Sequence, residues 1–236
     1  MPAHEWVGCH TRRPAVHDGQ VPLPGPDVRS LLAGDVLDAA PALLGWRLVH
    51  GGVTVRLTEV EAYAGSADPG SHAHRGRTAR NAVMFGAAGR LYVYFTYGMH
   101  WCANVVTGPE GEASAVLLRA GEVVAGHDVA GRRRAGVRER DWARGPARLA
   151  TTLALGRDDD GLDLLDVASD GLLLPPERPV DRGRVRAGAR VGVSGAGGDG
   201  DLFPWRYWLD GDPSVSAYRP ATPRRRTRGP RPPAAS

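Results

Sequence analysis

From Gly51-Gly52 to Tyr63 the chain alternates in a way that only a β-strand satisfies. Val53, Val55 and Leu57 fall on one face, and a period of two carries that face on to Glu59 and Glu61. Two carboxylates that continue an apolar stripe break a local rule, and such breaks occur at functional sites. A twist or bulge at the strand end, returning both carboxylates to water, is the competing reading. Trp46–His50 lies on the other side of the glycine pair and predicts a hairpin partner.

Further strands are predicted over Arg90–Tyr97 and Met99–Thr107, joined at Gly98 into a hairpin with aromatics on both faces. Others are predicted over Ala113–Arg119, Arg190–Val193 and Trp205–Leu209. Helical patterns begin at Asp27 and reach about Leu37, followed by a short helix broken at Pro41, and recur over Gly126–Ala135 and Pro146–Leu155. With 236 residues, the chain has material for one substantial core. The expected fold is α+β: a single domain over 27–219 with a curved antiparallel, open-barrel-like sheet, surrounding helices and a protruding β-hairpin. A flexible segment is expected at 1–26 and a disordered Pro/Arg-rich tail at 220–236.

Charge is unevenly spread. The net charge is +4, but Arg224, Arg225, Arg226, Arg228 and Arg231 belong to the tail, and removing those five leaves −1. Between Asp68 and Glu110 there is no acidic residue, while Arg75, Arg77, Arg80, Arg90 and three histidines fall there. Such local asymmetry suggests a polyanion-facing surface. The chain has no lysine, no isoleucine and two asparagines, as expected of a GC-rich genome, yet both asparagines and four of six tyrosines lie between residues 63 and 104. No apolar run approaches the roughly 18 residues of a membrane span, and the start lacks a secretory signal's apolar core. Cys9 and Cys102 stand far apart with no CxxC. A cytoplasmic protein is expected.

Several residues in this region could carry chemistry. Glu61 on its strand suits a general base that also stabilises an oxocarbenium-like transition state, with Arg119 as a partner that keeps it ionised; a structural ion pair is the plain alternative. Tyr92 and Tyr94 share a strand face, and aromatic faces stack on bases and hold cationic ones, although sheet aromatics often only pack. Tyr97, beside Gly98 at the hairpin tip, suits a wedge into a nucleic-acid duplex. His72 and His74 form an H-x-H pair without a third ligand at supporting spacing, so no metal is expected.

The run TEVEAYAGSADPGSHAHRGRTARNAVMFGAAGRLYVYFTYGMHWCANVV resembles the alkyladenine (3-methyladenine) DNA glycosylase family. Its marks are EAY-x-G, the SHA…RG(R)T-x-RN-x-x-MF loop, LYVY-x-x-YGM and Cys-x-Asn. AVLLRA, RGPARLATTLAL, ARVGVSGA and PWRYWL extend the likeness over about residues 28 to 218. The resemblance implies a monofunctional glycosylase of base excision repair that flips a damaged purine from double-stranded DNA and hydrolyses its N-glycosidic bond. It implies Glu61 as the base that activates water, with Arg119 beside it. Tyr63, His72 and Tyr94 become the walls around the flipped base, Asn104 a residue that crowds guanine's exocyclic amino group, and Tyr97 the inserted side chain. Arg77, Arg80 and Asn81 are expected at the DNA backbone. No metal or organic cofactor and a monomeric enzyme are implied. Ala79 departs from the family, which usually has proline there.

Overall fold

The computed structural model describes residues 26–96 and 98–221. The expectations for the N-terminal lead-in, for Tyr97 and for the tail arginines fall on residues outside this range. The described residues form four helices: α1 (Pro26–Leu32), α2 (Val36–Ala42), α3 (His127–Arg133) and α4 (Pro146–Leu153). They also form eight strands: β1 (Arg47–His50), β2 (Val53–Tyr63), β3 (Leu91–Thr96), β4 (His100–Val106), β5 (Ala115–Ala125), β6 (Gly171–Leu174), β7 (Val185–Gly188) and β8 (Arg206–Leu209). The strands make one antiparallel sheet in the order β3-β4-β5-β2-β1-β6, with β8 also pairing β2 and β7 pairing β8. Its ends do not meet, so the α+β fold is an open sheet with helices, as expected.

β2 organises the molecule. One edge pairs with β5 along its length, and the other is shared between β1 at Val53–Arg56 and β8 at Glu59–Glu61. The register against β5 shifts between Leu57, opposite Gly121, and Glu59, opposite Ala120, so Thr58 is an extra, bulged residue. Gly121 permits this tight crossing: a Cβ there would lie 2.4 Å from the Arg56 carbonyl oxygen.

The bulge corrects the strict period of two. Val53, Val55 and Leu57 enter the main core before it, and Val60 and Ala62 enter the same core after it. Glu59, Glu61 and Tyr63 therefore turn to the opposite face, because one inserted residue swaps every later side chain across the sheet. The carboxylates are not returned to the protein surface, since both are fully buried.

The core face is covered by helices. α2 contributes Val36 and Ala40, and α4 contributes Leu149, Ala150 and Leu153, to one cluster with Leu48, Leu91, Val93, Val105, Val116 and Leu118. The predicted break at Pro41 lies earlier. Ala33, Gly34 and Asp35 separate α1 from α2, the Asp35 carboxylate accepts the Leu37 N–H at 2.8 Å to cap the new helix, and Pro41 sits within its last turn. β5 runs on beyond Arg119 to Ala125, and β6 and β7 add strands not predicted. Arg190–Val193 is not a strand; it passes through a turn fixed by the buried Arg190.

Candidate active site

The face opposite the helical core carries a pocket of about 680 Å3. Alternation places its lining: Tyr92 and Tyr94 from β3, Cys102 and Asn104 from β4, Leu117 and Arg119 from β5, and Glu61 and Tyr63 from β2. The strands align these side chains across the sheet, since Tyr92 pairs with Asn104, Tyr94 with Cys102, Asn104 with Leu117 and Leu117 with Glu61. Pro69, Gly70, His72 and Met84 close one side, Val191–Ser194 another, and Pro146-Ala147 at the start of α4 a third.

Glu61 accepts two hydrogen bonds and faces one arginine. The Tyr63 hydroxyl donates to Oε2 at 2.9 Å, the Val191 backbone N–H donates to Oε1 at 2.7 Å, and Arg119 Nη1 stands 3.4 Å from Oε1. Arg119 is anchored from behind, its Nε donating to Glu59 Oε1 at 2.9 Å. Burial works against the Arg119 charge, but Glu61 and Glu59 outweigh it and raise its pKa above the ordinary value. Glu59 is also fully buried and accepts from Arg206 Nε at 2.7 Å and from the Ser216 N–H and hydroxyl at 2.7 and 2.9 Å. Burial alone would raise its pKa; Arg119 and Arg206 prevail and hold it below the usual carboxylate value.

The aromatic walls keep their protons. Burial, then the Glu61 charge, pushes the Tyr63 hydroxyl well above its ordinary pKa, so it remains a donor to the carboxylate. Burial pushes Tyr92 up to about 12 and Tyr94 further, and it raises the Cys102 thiol beside Tyr94 as well. His72 meets Tyr94 edge-on, with ring centres 4.6 Å apart, and its Nδ1 lies 3.3 Å from the Tyr92 hydroxyl. Desolvation and the Arg80 charge lower the His72 pKa, leaving a neutral ring at pH 7. Asn104 Nδ2 donates to the Tyr92 carbonyl at 3.0 Å, which fixes the amide at the pocket wall.

The acid-free loop wraps this pocket. Arg80 lies 5.6 Å from the Tyr94 ring centre and donates to the Phe95 carbonyl at 3.0 Å, and Arg77 lies 5.7 Å from the Phe85 ring centre. Both arginines are exposed beside the pocket. Asn81 faces inward: its Oδ1 accepts from Thr78 N–H, and its Nδ2 donates to the carbonyls of His72 and Gly76. It shapes the loop rather than presenting a free amide. His74 turns away from His72, its Nδ1 2.8 Å from the Ser66 carbonyl. Gly65 is required where it stands, at φ 60°, because a Cβ would meet the Ala113 carbonyl oxygen at 1.9 Å.

Four contributors escaped the sequence reading of the site: Glu59 as an anchor, Arg190, Asp68 and the Val191 N–H. Arg190 forms a buried fork on Asp68, with Nη1–Oδ2 at 2.5 Å and Nη2–Oδ1 at 2.7 Å. It also donates to the carbonyls of Ala62 and Gly197 and lies 4.6 Å from the Tyr63 ring centre. This clamp sets the turn that aims Val191 N–H at Glu61. Its partners are 122 residues apart in sequence, so no local pattern reveals the pair. Asp68, the last acid before the acid-free stretch, was the one available hint.

The methylpurine-DNA glycosylase (MPG) family model matches residues 30–213, which include every described residue of this site except Ser216. The chain belongs to the methylpurine-DNA glycosylase family. A Streptomyces avermitilis protein is 55% identical over 206 residues, covering 85% of this chain and 95% of its own length. One from Leifsonia xyli subsp. xyli is 56% identical over 201 residues, covering 81% and 92%. A Mycobacterium bovis relative is 46% identical over 194 residues, covering 80% and 92%. All three carry the name "Putative 3-methyladenine DNA glycosylase". Membership makes the chain a DNA-repair hydrolase acting on N-glycosyl bonds, with DNA as its substrate. Among the described residues no helix is long and apolar enough to cross a membrane.

Proposed function

We propose that this glycosylase flips a single alkylated or deaminated purine out of duplex DNA into the pocket and releases it with a water activated by Glu61, leaving an abasic site. The observation that carries the reading is a fully buried carboxylate at the pocket wall, organised by Tyr63, Val191 and Arg119 beneath aromatic walls. A carboxylate offers about four lone-pair directions; hydrogen bonds engage one on each oxygen and Arg119 stands near Oε1, so Oε2 keeps one for a water. Arg119 favours the ionised base, and the same negative charge faces the oxocarbenium character that develops on the sugar. The pocket volume lies within the roughly 300–1,000 Å3 of small-molecule sites.

Tyr63, His72 and Tyr94 surround the base in this reading. A cationic ring such as 3-methyladenine or 7-methylguanine gains from the aromatic faces and from a neutral, not protonated, His72. Hypoxanthine and ethenoadenine are neutral and need protonation to leave, so they test the site more severely. Asn104 excludes guanine by contact with its amino group. Arg77 and Arg80 meet the phosphates, Asn81 holds their loop, and Tyr97 fills the space the nucleotide vacates, the last on the strength of its motif alone. A single chain acts without metal or organic cofactor.

Glu61→Gln tests the assignment. Binding to duplex carrying a stable abasic analogue should persist within about threefold, while release of 3-methyladenine from methylated duplex should fall by at least ~10²-fold. Undiminished release from Glu61→Gln would remove Glu61 from the mechanism.

A further inference from the structure

The second carboxylate of β2 is fully buried and holds four donors. Glu59 Oε1 takes Arg119 Nε, Arg206 Nε and the Ser216 hydroxyl, and Oε2 takes the Ser216 N–H, all at 2.7–2.9 Å. It is sealed from the pocket and cannot serve as an acid or base. Its geometric effect falls on Arg119. With Nε committed to Glu59, the guanidinium makes no hydrogen bond to Glu61 and comes nearest through Nη1, at 3.4 Å. That separation is beyond the roughly 2.7–2.9 Å of a charge-assisted hydrogen bond and far from the two-pronged pair that arginine ordinarily makes with a carboxylate.

We infer that Glu59 is a positioning residue that restrains Arg119, so that Arg119 polarises Glu61 without closing over it as a bidentate partner. The inference rests on Glu61 acting as the base. Arg206 and Ser216 complete the restraint. Arg206 is itself tied to the Ser216 carbonyl at 2.9 Å, so the segment after β8 braces the anchor. Without Glu59, Arg119 is free to turn both prongs onto Glu61, occupy the lone pair left for water and make the carboxylate a weaker base. Asp68–Arg190, by contrast, acts on the Val191 side of Glu61 and is unaffected.

The test uses single-turnover release of 3-methyladenine from dimethyl-sulfate-treated duplex, followed across pH. Its acid limb reports protonation of the base. Glu61 is faced by Arg119 from β5, Tyr63 on its own strand, Tyr94 from β3, Cys102 from β4 and Arg190 from the turn after β7. All of these remain in Glu59→Gln. That variant is expected to release base ~10²-fold more slowly, as small misplacements at a reacting centre do. Its acid limb should move to lower pH, because the lost Glu59 charge and a closer arginine both favour the carboxylate, and its affinity for an abasic-analogue duplex should stay within about threefold. Slower release with the acid limb unmoved would overturn the proposal, because general loosening of the site slows the step without changing the base.

Glu59→Gln leaves Arg119 and Arg206 short of one negative charge, so a second variant guards against misfolding. Glu59→Gln/Arg206→Met restores the balance of one carboxylate and one arginine. It should unfold near the parent's temperature and keep the slow release and the shifted limb, and parental release there would also overturn the proposal. Failure of the underlying reading looks different: Glu61→Gln would then release base like the parent, with the acid limb retained.

Discussion

At Tyr63 one hydroxyl is committed to a buried carboxylate. Its proton is held by burial and by the neighbouring charge, and it is donated to Glu61 at 2.9 Å. Tyr63→Phe keeps the ring under Arg190 but strips a donor from a fully buried carboxylate. Urea unfolding should show a loss of about 1.5–3 kcal/mol, the range for a hydrogen bond to a charged group; a change below about 0.5 kcal/mol would mean that another donor replaces it. His72 makes a different expectation. Desolvation and Arg80 hold its pKa below 6.5, so the ring is neutral at pH 7 and acquires its charge only as pH falls beneath that value. If a cationic base stacks beside it, affinity for 7-methylguanine duplex should be level from pH 8 to 6.5 and decline further down. Titrations of His72→Gln should lack that decline. A decline of equal size in the variant would assign it to some other group.

The loop from Ser71 to Phe85 and strand β2 show how elements build the site. The loop has little regular structure, yet it is pinned by one side chain, since Asn81 bridges Thr78, His72 and Gly76. Asn81→Ala removes all three bonds and should free the loop's arginines for proteolysis. Brief trypsin digestion is expected to cut after Arg75, Arg77 or Arg80 severalfold faster than in the parent, and equal rates would show that packing, not Asn81, holds the loop. In β2 the device is the bulge at Thr58. It lets one strand serve the helical core with Val53, Val55, Leu57, Val60 and Ala62 and still place Glu59, Glu61 and Tyr63 on the pocket face. At the start of α2, Asp35→Ala should cost about 1 kcal/mol through loss of the cap, read as a lower urea midpoint.

For the whole molecule, acid stability follows from its buried carboxylates. Glu59 and Asp212 are ionised in arginine pairs and hold pKa values below their ordinary 4.5 and 3.8. A depressed carboxyl stabilises the fold above its unfolded pKa, and that contribution is lost as pH falls through the folded value. Asp160, raised by burial, has the opposite sign and favours the fold slightly as it protonates. Thermal midpoints should therefore hold down to about pH 4.5 and drop below it. A midpoint unchanged to pH 3 would mean the pairs contribute no net stability. Composition makes a separate expectation: with no lysine, the chain lacks the usual side-chain amine for a Schiff base. Borohydride should trap no covalent DNA adduct, and a trapped adduct would show that lyase chemistry uses another amine.

Strands β1 to β5 and β8, the hairpin, the acid-free arginine loop and the candidates Glu61, Tyr94 and Arg119 were legible because alternation and turn residues are local, while Tyr63 and Asn104 came from the family resemblance. Alternation also put both carboxylates on the apolar face, and there it misled. A bulge depends on the partner strand, here on Gly121 opposite Leu57, and no pattern within β2 announces it. The same limit hid what braces the site. Glu59 meets Ser216 157 residues away, Glu61 meets Val191 130 away, and Arg190 meets Asp68 122 away. Sequence determined which face-forming residues exist; only the folded sheet decided which face they occupy, because register and long-range ion pairs are properties of strands brought together.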